Sequence, residues 1–487
     1  MNSMVEVLAA HAAAQSSALF CADPQRSYSY AQGWSWARRI AAALLQRGLK
    51  GGDCMVVECT QDTRFLLLNM GAELAGMVFV PFERRAAQAR VDDICGEVQP
   101  ALAVIDSGYT AEAAAAVTSF DELLEQAAAC EEANLPFPAG DDLAEILYTT
   151  GTTGKAKGIE CTHRGNIALA ENIMYAVQMR PGSVELLPLP LNHSHGIRCC
   201  YANLLNGGAV VVVDGVMRVA EIFQLLQDYQ VRAMDLSPTA AQVLMRLTRG
   251  KLAEFNDQLD YIQIGSAALP EETKELLQES FPDVRLYNFY GSTESGRTCA
   301  LDFNAERGRK NCIGKPTKNA TFVIVDEQRR PIESSADRLG LVATAGPMNM
   351  RGYFKQPELT AQAMQDGFVY TKDLGYISQD GYVYVLGRAD DIINFKGIKI
   401  APEEIEETAR SYRKVVDCAC VPLPDKDAGQ VPKLFISVKN PDKFDRKEFY
   451  AFLVENLDKN KVPKEVEIID EIPRSANGKL QRAKLRS

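Results

Sequence analysis

Short apolar runs alternate with segments of helical spacing along most of the chain. Apolar residues at i, i+3 and i+4 predict helices, whereas short continuous apolar runs predict strands. In the first 140 residues this pattern predicts helices at 34–49, 65–76 and 120–128, and strands at 54–58, 77–81 and 102–105. The alternation predicts an α/β fold whose mostly parallel sheets are covered by helices.

The same alternation continues to about residue 388, with predicted strands at 209–213, 233–236, 261–264 and 285–289. The last two strands run into loops of small residues, at 265–268 and 291–293. A third strand ends at Tyr148 and is followed by a loop rich in glycine and threonine. Ligands of open α/β sheets bind beyond the carboxyl ends of the strands, so we expect the three loops to line one crevice.

The pattern changes after Arg388. Helices are predicted at 402–412 and 446–457, and strands at 415–421, 433–438 and 464–469, an order typical of a small α+β unit. Because 487 residues are too many for one core, we predict two domains. The boundary is expected at Asp390, which gives a large N-terminal domain of residues 1–389 and a small, mobile C-terminal domain of residues 390–487.

Composition narrows the function classes. A net charge of −11 argues against nonspecific binding of nucleic acid. Twelve cysteines without a C-x-x-C motif suggest reduced thiols and a cytoplasmic protein. The N-terminal segment has no basic stretch before its apolar residues, and no apolar run approaches about 18 residues. We therefore expect neither a signal peptide nor a membrane span.

The loop at 149–158 reads TTGTTGKAKG. Glycines allow turns that point successive N–H groups at one centre, while threonine hydroxyls and lysine ammonium groups add further phosphate contacts. The sequence also predicts a helix after Thr162, whose N-terminus would add positive potential. The spacing does not match G-x-x-x-x-G-K-[ST], and a flexible loop without a ligand remains an alternative. The candidate phosphate-binding residues are Thr149, Thr150, Gly151, Thr152, Thr153, Gly154, Lys155 and Lys157.

Two further stretches carry groups that suit a nucleotide. Tyr290 at a strand end can stack on a purine, and Glu294 can hold Mg²⁺ through oxygen. Asp373 can accept two hydrogen bonds from a ribose diol, with Arg388 across a hairpin. Taken alone, the first stretch is equally typical of a turn with a solvated glutamate, and the second of a salt bridge.

The histidines carry no clear chemistry by spacing. Of four, three lie between 163 and 195, and His193 and His195 stand two apart. We find no cysteine or carboxylate at a recognisable metal-ligand spacing, so a metal site is not expected. A triad with Ser194 is not expected either, because the sequence around it is not a nucleophile elbow.

Five motifs in this order resemble those of the adenylate-forming superfamily of acyl- and aryl-CoA synthetases, peptide-synthetase adenylation domains and luciferases. The loop at 149–158 is similar to the family's phosphate loop, with Ala156 where proline is usual. YGSTE resembles the family's YGxTE, which implies that Tyr290 packs on adenine, Thr293 contacts phosphate and Glu294 binds Mg²⁺. By the same resemblance the nucleotide-binding residues include Gly265, Ser266, Ala267, Gly291 and Ser292.

The segment from 371 to 394 resembles the family's TGDL and GRxDDxIK motifs. The resemblance implies that Asp373 and Arg388 hold the ribose and that Asp390 is the pivot of the small domain. Lys372 stands where glycine is usual and Asn394 where lysine is frequent. Neither change removes a ligand.

The small domain carries two further motifs. KGIKIAPEEI at 396–405 resembles the loop that faces the active site after rotation, so Lys396, Gly397 and Lys399 are expected to face CoA. PRSANGKLQR resembles the family's PRTxxGKxxR, which implies that Lys479 enters the crevice during adenylation. Its cation would stabilise the charge that develops there.

LPLNHSHG resembles the family's acyl-pocket motif LPxFHxxG. The resemblance implies that His193 lines and gates the acyl pocket, and Asn192, where phenylalanine is frequent, suggests a smaller or more polar entrance. Arg198 lies nearby in sequence. We hypothesise that it meets a second carboxylate on the substrate.

The resemblance implies an ATP-dependent, AMP-forming carboxylic acid:CoA ligase that uses Mg²⁺, with CoA as co-substrate. AGQVP at 428–432 resembles a stretch of many CoA ligases. The alternative acceptor is the phosphopantetheine of a carrier protein. A non-catalytic nucleotide-binding protein is disfavoured because Lys479 and Glu294 are both present. A dehydrogenase is disfavoured because no G-x-G-x-x-G follows a strand.

Overall fold

The computed structural model describes residues 1–149, 157–396, 398–474 and 480–486. Within these ranges the chain forms helices, strands and three short 3-10 helices at Lys251–Phe255, Pro441–Lys443 and Arg482–Leu485. The α-helices are α1 Met4–Ala14, α2 Tyr30–Gln46, α3 Thr63–Leu74, α4 Gln88–Val98, α5 Phe120–Ala129, α6 His163–Ala176, α7 Ser194–Leu205, α8 Val219–Asp228, α9 Pro238–Thr248, α10 Glu271–Ser280, α11 Pro357–Ala363, α12 Pro402–Arg410 and α13 Arg446–Asn456.

The strands alternate with these helices, as the apolar pattern predicts. They are β1 Leu19–Ala22, β2 Ser27–Ser29, β3 Cys54–Glu58, β4 Val78–Phe82, β5 Leu102–Val104, β6 Val117–Thr118, β7 Leu143–Thr149, β8 Lys157–Thr162, β9 Val184–Leu187, β10 Ala209–Val212, β11 Ala233–Leu236, β12 Tyr261–Ile264, β13 Arg285–Ser292, β14 Gly296–Asp302, β15 Cys312–Pro316, β16 Thr321–Val325, β17 Gly340–Ala345, β18 Gly352–Tyr353, β19 Met364–Gln365, β20 Phe368–Ile377, β21 Val383–Arg388, β22 Ile393–Phe395, β23 Ile398–Ile400, β24 Val415–Asp425, β25 Gly429–Val438 and β26 Glu465–Ile468.

Three sheets organise the described residues. The largest runs β16-β17-β20-β21-β15-β14-β13-β12-β11-β9-β10-β1-β2, with β19 beside β20. In it β1, β10, β9, β11, β12 and β13 are parallel neighbours. A second sheet runs β18-β8-β7-β4-β3-β5-β6, and a third combines β22 to β26. The predicted mixed α/β fold with a smaller C-terminal domain is confirmed.

One apolar core joins the two larger sheets. It includes Phe79 of the second sheet and Val210 and Tyr261 of the first, with residues of α1, α2, α3, α6 and α7 between them. Burial of such side chains is the main source of stability, at roughly 25 cal/mol per Å² of apolar surface. Because α6 and α7 lie inside this sandwich, the face that α7 turns to the sheet is fixed by packing.

Two predicted elements form, but the position of one and the end of the other differ from the prediction. The helix predicted after Thr162 does begin there, as α6, but β8 lies between it and the phosphate loop. β7 and β8 pair antiparallel, with Leu143 opposite Thr162, so the start of α6 lies at the other end of this hairpin from the loop. The strand predicted at 285–289 continues through Ser292 because it pairs with β14, so Tyr290 and Gly291 lie within the strand.

The third sheet, with α12 and α13, forms the C-terminal unit around a separate apolar core. Arg482 fastens the last described segment to this unit, because its guanidinium lies 2.8 Å from Glu406, 3.0 Å from Glu403 and 3.5 Å from Asp391. The exact boundary at Asp390 stays a prediction.

Two findings bear on the compositional predictions. All twelve cysteines are free, and eleven of them are buried. Within the described ranges, no helix is both long and apolar enough to cross a membrane.

Candidate functional site

Tyr353 links the phosphate-loop hairpin to the YGSTE segment. The tyrosine lies on β18, which pairs with β8 through Ile159, and its hydroxyl donates a 3.0 Å hydrogen bond to a carboxylate oxygen of Glu294. The ammonium group of Lys157 lies 5.4 Å from the centre of the Tyr353 ring. Burial and the adjacent Glu294 carboxylate both raise the pKa of Tyr353, so the phenol stays protonated as a donor. No motif in the sequence indicated Tyr353.

Tyr290 and Asp373 form a second phenol–carboxylate contact. The Tyr290 hydroxyl donates to Asp373, and both side chains are half-buried. Burial, followed by the Asp373 charge, raises the pKa of Tyr290. The β20–β21 hairpin pairs Asp373 directly with Arg388, so the predicted juxtaposition across a hairpin is confirmed.

The turn after β12 is shaped by Phe289. A Cβ atom on Gly265 would lie 2.2–2.5 Å from three atoms of the Phe289 ring, so the position requires glycine. Ser266 follows in the left-handed region with φ of +77°, and Ala267 is exposed. Of the other predicted residues on this side, Thr293 is half-buried between β13 and β14, whereas Gly291 and Ser292 are exposed.

His195, the second histidine of the HSH stretch, contacts a serine and an aspartate. His195 Nδ1 lies 2.7 Å from Ser266 Oγ, and its Nε2 lies 2.7 Å from Asp235 Oδ1. The thiol of Cys199, one turn further along α7, also donates to Asp235. Burial, then the Asp235 charge, raises the pKa of Cys199. His193 is half-buried and immediately precedes α7.

This cluster corrects one expectation from spacing. A cysteine and a carboxylate do accompany these histidines, because His195, Cys199 and Asp235 offer ligand atoms within 4.8 Å of one another. The 2.7 Å contact between His195 and Asp235 has the length of a hydrogen bond, so we describe the cluster as a hydrogen-bonded array. The feature of the sequence that could have indicated this cluster is the single aspartate, Asp235, inside the otherwise apolar strand β11.

Behind the array, charged groups are buried between the sheet and α7. The guanidinium carbon of Arg297 lies 3.5 Å from the centre of the Phe289 ring, and the group donates to the amide oxygen of Gln263. Glu185 accepts hydrogen bonds from Gln263 and Asn203. Burial, then the Asp235 charge, raises the pKa of Glu185 to about 7.

The hypothesis that Arg198 meets a substrate carboxylate is wrong. Arg198 is buried and its guanidinium pairs with Glu145 on β7, the strand that leads into the phosphate loop. Glu145 also accepts a 3.0 Å hydrogen bond from Asn166 and a 3.4 Å contact from the hydroxyl of Tyr201. The cation is therefore neutralised inside the protein.

The predicted hinge lies at the surface. Asp390 follows β21, and its carboxylate lies 3.2 Å from the ammonium group of Lys372. Its carbonyl accepts a hydrogen bond from Arg486. Lys396 is exposed and bonds through its backbone N–H to the carbonyl of Ala428.

Several predicted site residues can be placed only by their neighbours. Thr149 ends β7 opposite Lys157, and Lys399 lies on β23 opposite Asn394. The remaining phosphate-loop candidates, together with two residues of the small domain, lie outside the described residues: Thr150, Gly151, Thr152, Thr153, Gly154, Lys155, Gly397 and Lys479.

The chain matches known proteins over most of its length. Residues 8–354 match the family described as AMP-binding enzyme, and residues 404–479 match its C-terminal domain. The 4-coumarate–CoA ligase-like 4 of Oryza sativa subsp. japonica is 31% identical over 353 residues, which are 71% of this chain and 63% of that protein. The chain thus spans less than two thirds of the length of that relative.

Two other matches extend over nearly the whole chain. The 4-coumarate–CoA ligase of Vanilla planifolia is 26% identical over 500 aligned positions, covering 94% of this chain and 88% of that protein. ATP-bound MatB from Rhodopseudomonas palustris is 25% identical and superposes with a TM-score of 0.89, covering 100% of this chain and 98% of the other. With residues 8–354 matched, the chain belongs to the AMP-binding enzyme family.

Proposed function

We propose that the protein is an AMP-forming carboxylic acid:CoA ligase. The observation that carries the proposal is the pair of phenol–carboxylate contacts: Tyr353 of β18, which pairs with the phosphate-loop hairpin, donates to Glu294, and Tyr290 of β13 donates to Asp373 of β20. The two carboxylates offer one group suited to a cation and one suited to a ribose, as binding of MgATP requires.

The described residues fit the nucleotide chemistry. Glu294 can hold Mg²⁺, because one of its oxygens is oriented by Tyr353 while the side chain remains half-exposed. The ion supplies neutralisation of phosphate charge when it is bound. Lys157 adds a cation at the base of the phosphate loop, and Arg388 lies opposite Asp373 for the ribose or the α-phosphate.

The first half-reaction joins the acid to AMP. A carboxylate oxygen attacks the α-phosphorus of ATP, and the bond to the bridging oxygen of pyrophosphate breaks. Lys479 is proposed to stabilise the charge that develops on the reacting oxygens. A cation that contacts charge present only in the transition state lowers the barrier of the step and does not strengthen binding of the substrates.

The second half-reaction releases AMP. A thiol sulfur attacks the carbonyl carbon of the adenylate, a thioester forms, and the bond to the phosphate oxygen breaks. We propose that Asp390 is the pivot that brings Lys396, Gly397 and Lys399 to face CoA. Asp390 itself makes an exposed ion pair with Lys372 and accepts a hydrogen bond from the Arg486 guanidinium, contacts that water can replace when the domain rotates.

CoA is the proposed thiol because the relatives carry the name CoA ligase. The alternative is the phosphopantetheine of a carrier protein. The twelve free thiols suit a reducing compartment, and we keep the cytoplasm as the proposed location.

The test is incubation of the full chain with ATP, Mg²⁺ and a panel of carboxylic acids, with and without CoA, reading pyrophosphate and product mass together. Acid-dependent pyrophosphate with an acyl-CoA product supports the proposal and identifies the acid. Acid-dependent pyrophosphate with no CoA product indicates a carrier protein. No acid-dependent pyrophosphate across the panel contradicts the proposal.

A matched variant separates the two half-reactions. Lys479→Ala should lower adenylate formation by roughly 100-fold or more, since one preorganised electrostatic group is lost. Thioester formation from supplied adenylate should change by less than about threefold, because this cation acts in the first step only. Equal losses in both steps would contradict the role given to Lys479.

A further inference from the structure

Ser266, His195 and Asp235 form a continuous hydrogen-bonded row. Two 2.7 Å contacts join the serine hydroxyl to His195 Nδ1, and His195 Nε2 to the aspartate. Asp235 is fully buried, the His195 side chain is 7% exposed, and Ser266 is half-buried at the crevice. The row therefore leads from a buried carboxylate, through an imidazole, to a serine that is only half-buried.

The backbone at Ser266 is unusual for a serine. It lies two residues after the end of the parallel strand β12, in the left-handed region with φ of +77°, where residues other than glycine are uncommon. A sharp turn after a strand that carries a strained serine presents the hydroxyl away from the sheet. Among the described residues, no carbonyl accepts a hydrogen bond from the N–H of Ala267 or Ala268, so these exposed N–H groups are available to an oxyanion.

Tautomer and charge favour deprotonation of the serine. In the tautomer with its proton on Nε2, His195 donates to the Asp235 carboxylate, and Nδ1 is left to accept from Ser266. The charged and titratable groups near Asp235 besides His195 are the thiol of Cys199, which donates to it, Glu185, and Arg297, whose guanidinium lies 3.8 Å from the Cys199 sulfur. The Asp235 carboxylate, in direct contact with the imidazole, would stabilise the imidazolium that forms when the serine loses its proton.

The position of the row relative to the reaction follows from the function proposed above, on which this step rests. The resemblance assigns the turn 265–267 to the nucleotide site and His193, just before α7, to the acyl pocket. An acyl-adenylate would join these two sites through its mixed anhydride. Ser266 belongs to the turn and is hydrogen-bonded to His195 of α7, so its hydroxyl connects the two elements that this anhydride would bridge.

We propose that Ser266 is a nucleophile, activated by His195 and positioned through Asp235, that gives the enzyme a hydrolytic activity toward its own acyl-adenylate and toward small activated esters. The Ser266 oxygen attacks the carbonyl carbon while its proton passes to His195 Nδ1. The acyl–phosphate bond breaks, AMP leaves with the proton that His195 took up, and an acyl-serine ester and a neutral imidazole remain. Water then attacks this ester, its proton returns to the serine oxygen through His195, and the free acid is released. The sum is acyl-adenylate plus water giving acid plus AMP.

A structural latch is the competing role for the same contacts, since the row also ties the turn after β12 to α7. The two roles differ in reactivity. A latch predicts that removing Ser266 changes only stability and nucleotide affinity, whereas a nucleophile predicts a covalent adduct on one oxygen atom. The first experiment is therefore a chemical one that needs neither ATP nor a known acid.

The protein is treated with a fluorophosphonate and, separately, with p-nitrophenyl acetate. We expect the phosphonate on Ser266 by peptide mass spectrometry and slow turnover of the ester. Ser266→Ala should abolish both. Asp235→Asn should lower both rates by roughly 100-fold or more, since an amide holds the imidazole in the wrong tautomer. Ser266→Gly also removes the hydroxyl but relieves the strained φ, so this variant should melt no lower than the wild type. If it loses labelling and ester turnover as completely as Ser266→Ala does, unfolding is excluded as the cause.

Ser194→Ala is the matched control, because it removes the serine next to His195 that is not part of the row; labelling should be unchanged. The pH profile of labelling should show one ionisation that Asp235→Asn shifts, which a latch does not predict. No adduct on Ser266, or an adduct that persists in Asp235→Asn at the wild-type rate, overturns the proposal.

The second arm uses ATP, Mg²⁺ and the acid that the panel identifies, with no thiol present. We expect AMP in many turnovers per enzyme, and stoichiometric retention of acyl-adenylate in Ser266→Ala. If Ser266 is labelled but the enzyme releases no more than one AMP per active site, the proposed hydrolysis of the adenylate is refuted, and the ligase proposal is unaffected. Labelling of Ser266 with no acid accepted from the panel contradicts the ligase proposal instead.

Discussion

The proposed nucleotide side, with Glu294 and Asp373, and the proposed acyl side, around β7, β9, β11 and α7, are built in different ways. On the nucleotide side, Glu294 and Asp373 are half-exposed carboxylates, and each accepts a hydrogen bond from a phenol. On the acyl side, Glu145, Glu185 and Asp235 are fully buried, and their hydrogen bonds are satisfied within the protein.

The difference separates two uses of charge. A half-exposed carboxylate costs little to fold because water solvates part of it, and we propose that on the nucleotide side it also contacts the substrate. A buried charge must be paired before any ligand arrives, because an isolated one is too costly to bury. We therefore expect substitutions on the nucleotide side to change catalysis without changing stability, and those on the acyl side to change both.

The largest effect is expected inside the protein, at Arg198. Arg198→Met leaves the buried Glu145 without its cation and should lower the free energy of unfolding by about 3–5 kcal/mol, measured in urea. The double variant Arg198→Met with Glu145→Gln removes the unpaired charge and should recover most of the loss. A loss below about 1 kcal/mol in the single variant would show that water or another group neutralises Glu145.

Glu294 should show the opposite behaviour. Glu294→Gln keeps the shape and the acceptor for Tyr353 but removes the charge, so adenylate formation should fall by roughly 100- to 1,000-fold. The melting temperature should stay within about 2 °C of the wild type. Tyr353→Phe is the matched control that removes only the orienting hydroxyl, with a loss of about tenfold. A large drop in melting temperature for Glu294→Gln would break the distinction between the two sides.

Glu185 gives the acyl side a dependence on pH. Its pKa is raised from 4.5 to about 7 in the folded protein, chiefly by burial. Between these values the unfolded chain has released a proton that the folded protein still holds, so stability falls as pH rises through this window, by roughly 3 kcal/mol. Urea unfolding at about pH 5 and about pH 8 should show this fall in the wild type and a smaller one in Glu185→Gln. Equal falls in both proteins would assign the dependence to other groups.

Asp373 tests the proposed ribose contact. Asp373→Asn weakens hydrogen bonds to a diol but keeps an acceptor for Tyr290, so the KM for ATP should rise roughly 10- to 100-fold. The KM for the acid should be unchanged, because the residue lies on the nucleotide side. A rise in the KM for the acid alone would place the substrate tail, rather than the ribose, at Asp373.

The smallest effect is expected at the hinge. Lys372 and Asp390 form an ion pair whose side chains are 66% and 59% exposed. Lys372→Ala should change the free energy of unfolding by less than about 1 kcal/mol, as is usual for surface pairs. Comparison with Arg198→Met then measures how far burial increases the contribution of an ion pair to the free energy of unfolding. A loss comparable to that of Arg198→Met would refute the view that burial decides it.

The nucleotide side was accessible to sequence reasoning because its residues are consecutive. TTGTTGKAKG and YGSTE each carry their chemistry within ten residues, and the Asp373–Arg388 spacing fits one hairpin. Tyr353 was missed because it reaches Glu294 through the pairing of β18 with β8, a contact between residues distant in sequence. Arg198 was misassigned because closeness to a motif in sequence does not give the direction of a helical side chain.

The acyl side is assembled from several strands and one helix, so no local pattern predicts it. A weaker signal was present. Glu145, Glu185 and Asp235 each interrupt a short apolar strand with one acidic residue, as Gln263 does with an amide. Because an unpaired charge is rarely buried, such interruptions indicate a partner elsewhere in the fold, but they do not identify it.

The bond between Glu145 and Arg198 has a consequence for redesign of the acid specificity. It ties β7, the strand that enters the proposed phosphate loop, to α7, the helix that follows His193. A substitution that displaces α7 would therefore pull on β7 and could be transmitted to the proposed ATP-binding loop. Changes in substrate range are best sought with substitutions that leave this helix in its original position.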